Sequence, residues 1–223
     1  MLKAVLFDMD GVIVDTEPLH YKAYYQMFSE VGIDVSDVLY TSFTGQSTFQ
    51  ICKKLCDHFR LSNDPEELVK IKRTNFTKLF FEANDLELIS GVESLIKEYH
   101  GNGLTLVLAS SASMFTINNV MTRFNLDRFF VAKLSGADLK ASKPHPEIFT
   151  KAAAAAGALP SECVVIEDST NGIKAAKAAG IFCVAYKSKH SKNQDYSLAD
   201  RVISDYKEIC FERIMSVDLT MSF

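Results

Sequence analysis

The sequence predicts an α/β protein, a doubly wound, Rossmann-like parallel sheet core with an all-helical domain inserted after its first strand. Three observations predict it. A short run of β-forming residues at 3–7 ends abruptly in acidic residues, residues 15–88 hold helical patterns and no convincing strand, and strand and helix patterns alternate from Gly91 onward. Repeated strand–helix units imply a parallel sheet with helices on both faces. The core is expected at residues 1–14 and 89–223, and the helical domain at 15–88.

Taken in order, residues 3–7 form the first strand and deliver Asp8 at its C-terminal end. Leu19, Ala23, Met27 and Val31 recur at helical spacing and Gly32 supplies a stop, which predicts a helix over 18–31. Residues 48–59 and 64–83 read as helices too, the second with Asp64 as N-cap, Pro65 in the first turn and Glu67 completing a capping box. Beyond Gly91, helices are expected at 92–99, 114–124, 146–156 and 172–179, and strands at 105–109, 131–135, 163–166 and 182–186. There is no internal repeat.

Composition excludes several classes of function. A net charge of −4 without blocks of like charge offers no footprint for nucleic acid. The apolar run at 4–7 is broken by Asp8 and Asp10, so it is neither a signal peptide nor a membrane span, and a cytoplasmic monomer is expected. The five cysteines lack metal or redox spacing and read as reduced thiols.

Chemistry is expected at the strand ends, because ligands of doubly wound sheets bind beyond them. Alternation along an extended segment points Asp8 and Asp10 the same way, with Gly11 allowing a sharp turn. Ser110 and Ser111 end the next strand with donors suited to phosphate oxygens. Lys143 is restricted by Pro144, and Glu167 with Asp168 forms a second acidic pair before a helix. Singly, Asp10-Gly11 reads as a turn, Asp168 as a helix cap and Lys143 as a solvated charge. Together, four polar clusters at strand ends read as a site.

On these residues the chain resembles the haloacid dehalogenase superfamily, in its β-phosphoglucomutase-like branch with a helical, C1-type cap. Four motifs stand in family order: DMDGV at 8–12, LASSAS at 108–113, SKPHPEIF at 142–149 and EDSTNGIKAAKAAG at 167–180. The resemblance implies Mg²⁺ as cofactor and Asp8 as the nucleophile that becomes an aspartyl phosphate. It makes Asp10 the general acid and base, Ser110 a ligand of the transferring phosphoryl group, and Lys143 the cation that offsets its charge. The metal ligands implied are Asp8, the backbone carbonyl of Asp10, Asp168 and Glu167. Thr16 and His20 match positions that couple cap closure to the acid/base aspartate, and Ser111 and Gly45 join them as substrate-binding candidates.

Asp10 separates the chemistries of this superfamily, since the dehalogenases and phosphonatases lack a carboxylate there and the ester phosphatases and phosphomutases have one. β-Phosphoglucomutase proper grips the far phosphate of its bisphosphate with a cap arginine soon after a glycine and with a lysine-asparagine pair after the second motif. Here those places read Gly45-Gln46-Ser47-Thr48 and Ser113-Met114. Each lost charge-assisted contact removes about 1.5–3 kcal/mol of binding, which a mutase needs and a phosphatase does not. The expectation is a Mg²⁺-dependent phosphatase for a small phosphorylated metabolite such as a sugar phosphate. The alternatives are a phosphomutase drawing on Lys53, Lys54 or Arg73, and a catalytically silent binding protein.

Overall fold

The computed structural model describes residues 1–43, 46–187, 193–217 and 219. The chain divides into two compact units, one built from residues 1–15 and 88–223 and the other from residues 16–87.

The first unit is a six-stranded sheet, every pairing parallel, in the order β3-β2-β1-β4-β5-β6. The strands are β1 (Ala4–Phe7), β2 (Thr105–Ser110), β3 (Ala132–Ser135), β4 (Cys163–Glu167), β5 (Phe182–Tyr186) and β6 (Arg201–Ile203). Residues Ala4 to Phe7 are fully buried, as a central strand covered on both faces must be, and Phe7 lies level with Leu108 of β2 and Ile166 of β4. Strand order reverses between β1 and β4, so the ends of these two strands flank the crevice where such sheets bind ligands.

The helices of this unit are α5 (Val92–Gly101), α6 (Met114–Arg123), α7 (Glu147–Ala155), α8 (Thr170–Ala178) and α9 (Phe211–Met215), and those of the other, α1–α4, are described below. Ile148 and Phe149 of α7 and Ile173 of α8 pack with Leu6, Val107, Val165 and Cys183 of the sheet. After β1 the chain turns back on itself: the N–H groups of Val12, Ile13 and Val14 reach the Met9 carbonyl, and Ile89 N–H donates to Ile13. Tyr206, stacked on Tyr186, anchors that turn through a bond from its hydroxyl to the Val12 carbonyl at 2.5 Å.

Among its described residues the second unit holds four α-helices: α1 (Glu17–Glu30), α2 (Asp37–Thr41), α3 (Thr48–Phe59) and α4 (Pro65–Glu82). Its core gathers Met27 and Phe28 of α1, Ile51 and Leu55 of α3, and Leu68 of α4. Asp64 caps α4 by accepting from Glu66 N–H, whereas Glu67 turns to Asn63 at 3.2 Å in place of the expected capping box. All five cysteines are free thiols, and among the described residues no helix is long and apolar enough to cross a membrane.

Candidate active site

The ends of β1, β2 and β4 meet at Lys143 through Asp8, the Ala109 carbonyl and Glu167, and the Lys143–Pro144 bond is cis. The Lys143 ammonium donates to Asp8 Oδ1 at 2.6 Å, to Glu167 Oε1 at 2.7 Å and to the Ala109 carbonyl at 3.1 Å. These three acceptors match its three protons. The side chain is only 4% exposed, and its charge lies 4.9 Å from the centre of the Phe149 ring. Burial alone would lower its pKa, but Asp8 and Glu167 outweigh burial and hold it above the usual lysine range.

Asp8 responds the other way. Burial pushes its carboxyl up to about 7, Lys143 pulls against that, and the charges of Glu167 and Asp10 add to the rise. The carboxylate is reluctant to ionise in spite of a lysine 2.6 Å away chiefly because it is buried.

Glu167 is spent on holding the site together. Its Oε2 accepts from the N–H groups of Asp168 and Ser169, both at 2.7 Å, and from the Ser169 hydroxyl at 3.0 Å. Both oxygens are thus engaged by protein donors, and Glu167 anchors Lys143 and the turn into α8. A Cβ on Gly172 would overlap the Glu167 carboxyl group, and one on Gly11, at φ +80°, would overlap that of Asp168. Asp168 therefore lies against the backbone just after Asp10.

Ser110 is fully buried, and its Oγ accepts from Ala112 N–H at 3.0 Å, which leaves the hydroxyl proton for a ligand. Ser135, at the end of β3, donates to the Ala112 carbonyl at 2.9 Å and fixes the same loop from the other side. Ser113 is the N-cap of α6, and Ser111 is exposed.

The remaining expected residues fall in the helical unit. Thr16 is fully buried and precedes α1. His20 stacks on Phe76, ring centres 4.3 Å apart, with its Nδ1 2.7 Å from the Lys72 ammonium. Lys72 is 4% exposed, and the sequence reading missed it although it stands in the apolar stripe Leu68, Lys72, Phe76, Phe80 of α4, where a lysine is anomalous. Lys53, Lys54 and Arg73 are exposed. Gly45 lies outside the described residues.

The surroundings of Asp8 suit a hard cation. Asp8 has the charges of Glu167 and Asp10 near it as well as the Lys143 ammonium, these carboxylates offer oxygen donors, and the bare backbone of Gly11 admits the Asp168 carboxylate beside Asp10. Among the described residues no group of three or more His, Cys, Asp or Glu side chains converges into a cage for an ion.

The sequence model of the haloacid dehalogenase-like hydrolases matches residues 5–186. Hexitol phosphatase B of Escherichia coli K12 is 30% identical over 207 residues, which cover 92% of this chain and 93% of that protein. Fructose-1-phosphate phosphatase YqaB of the same bacterium is 31% identical over 185 residues, 81% of this chain and 94% of that one. The crystal structure of β-phosphoglucomutase from Clostridium difficile superposes with a TM-score of 0.82 at 27% identity, over 96% of each chain. The chain belongs to the haloacid dehalogenase-like hydrolases, in the branch that includes β-phosphoglucomutase. Within that family it is a phosphoric monoester hydrolase.

Proposed function

We propose that this protein hydrolyses phosphorylated carbohydrates or similar small phosphate monoesters through an aspartyl phosphate on Asp8. The observation that carries this reading is the buried Asp8–Lys143–Glu167 arrangement at the switch point of the sheet. The names of the hexitol and fructose-1-phosphate phosphatases support the substrate class.

Asp8 attacks phosphorus, forming a P–O bond as the ester P–O bond breaks, and Asp10 gives its proton to the departing alcohol oxygen. Asp10 then takes a proton from water, whose oxygen displaces Asp8 and releases inorganic phosphate. Lys143 orients Asp8 and offsets the charge of the phosphoryl oxygens, and Ser110 donates its hydroxyl proton to one of them. Mg²⁺, held by Asp8, the backbone carbonyl of Asp10 and Asp168, would supply the positive charge that lets a carboxylate approach a phosphate dianion. Glu167 serves by keeping Lys143 charged and in place. Within the helical unit, His20 is held by Lys72 and Phe76.

The test is Mg²⁺-dependent phosphate release from a panel of hexose, hexitol and pentose phosphates, with Asp8→Asn as the blank. Release that falls by roughly 10⁴-fold or more in Asp8→Asn supports the reading. Absence of release from every ester, with β-glucose 1-phosphate converted to glucose 6-phosphate once a bisphosphate primer is added, would replace it with the mutase reading.

A further inference from the structure

If Asp168 holds Mg²⁺, as the reading above has it, then whatever fixes the turn between β4 and α8 tunes the ion's affinity. Most donors of that turn are met locally: Glu167 takes the N–H groups of Asp168 and Ser169, and Ser169 Oγ takes that of Gly172 at 3.1 Å. Thr170, the first residue of α8, is instead held from far along the chain. Gln194 Oε1 accepts its N–H at 2.7 Å, and its own Oγ1 accepts from Asp195 N–H at 2.8 Å. Two bonds, one to the backbone and one to the side chain of a single residue, pin the helix start two positions after Asp168.

The same segment carries Tyr196, whose hydroxyl is shut off from solvent and meets no hydrogen-bond partner among the described residues. Its ring packs on the sheet core. Burial first, then the charges of Asp168 and Glu167, push the hydroxyl up to about 12. A buried hydroxyl without a partner calls for a reason, and local packing provides none for an oxygen that phenylalanine would lack.

We propose that residues 193–196 form a clasp on the β4–α8 turn that sets the affinity of this site for Mg²⁺, with Gln194 and Tyr196 as positioning residues. Mg²⁺ demands near-ideal octahedral geometry, so a small shift of Asp168 is felt directly in binding. Tyr196 contributes a donor for the oxygens of the loaded site.

Titration calorimetry with MgCl₂ alone, without substrate, tests this on the full-length protein and on the variants Gln194→Ala, Gln194→Glu, Tyr196→Phe and Asp168→Asn. Gln194→Ala and Tyr196→Phe are expected to weaken Mg²⁺ binding about tenfold, the low end for partners that orient a ligand. Gln194→Glu keeps an acceptor for Thr170 and is expected to bind as the native protein does. Binding lost in Asp168→Asn but unchanged in Gln194→Ala overturns the clasp, whereas binding unchanged in Asp168→Asn overturns the metal reading beneath it. An idle buried hydroxyl would show itself differently: Tyr196→Phe would raise the Tm, leave the Mg²⁺ constant where it was, and remove Tyr196 from the clasp. Thr170→Val, which deletes the Asp195 bond, gives the same readout should Gln194→Ala fold poorly.

Discussion

Gly172 has no side chain because the Glu167 carboxylate occupies the place where one would go. Gly172→Ala must push Glu167 away from Lys143 or distort the first turn of α8. We expect a loss of about 1–3 kcal/mol in urea denaturation, the range for an overpacked interior, together with a fall in kcat. Wild-type stability in this variant would mean that Glu167 has another position open to it. At this scale the sequence reveals residue identity better than residue role. Asp8, Asp10 and Asp168 are legible as candidates because they follow recognisable strands, and Lys143 because it opens a rigid Lys-Pro step. The occupation of Glu167 is not legible, since its carboxylate is claimed by a lysine 24 residues earlier in the chain. Lys72 leaves a readable trace in the sequence, a cation at an apolar position of α4.

The loop after β2 is shaped by β3. Ser135 of β3 holds the Ala112 carbonyl while Ala112 N–H holds Ser110 Oγ, so β3 aims the Ser110 hydroxyl through one intervening residue. Ser135→Ala removes one neutral hydrogen bond, about 0.5–1.5 kcal/mol, and is expected to raise the inhibition constant of inorganic phosphate roughly threefold to tenfold. An unchanged constant would show that the loop holds its form without β3. Elements with a strong period were foreseeable from sequence: β1, β2, β4, β5 and the long helices. The three-residue β6 and the five-residue α2 and α9 were not, because one helical turn or one alternation is too short to establish a period. Gln194 gave no signal at all, since its partner Thr170 is set by tertiary folding.

For the whole molecule, an ion that binds the assembled site and not the unfolded chain must add to stability. Mg²⁺ at a hundred times its dissociation constant contributes about 2.7 kcal/mol, which for a chain of this size is a rise of roughly 5–10 °C in Tm. The rise should vanish in Asp168→Asn and reverse on adding a chelator, as read by differential scanning fluorimetry. The parallel sheet has one more consequence. β1 is made first, yet Ala4 pairs with Thr105 on one side and with Cys163 on the other. During synthesis the nucleophile's strand must therefore wait for more than two thirds of the chain to leave the ribosome, while residues 16–87 already have a core of their own to form. A ribosome-stalled chain that stops short of β4 should expose an unpaired edge of β1, making this interval the time when the protein most needs a chaperone.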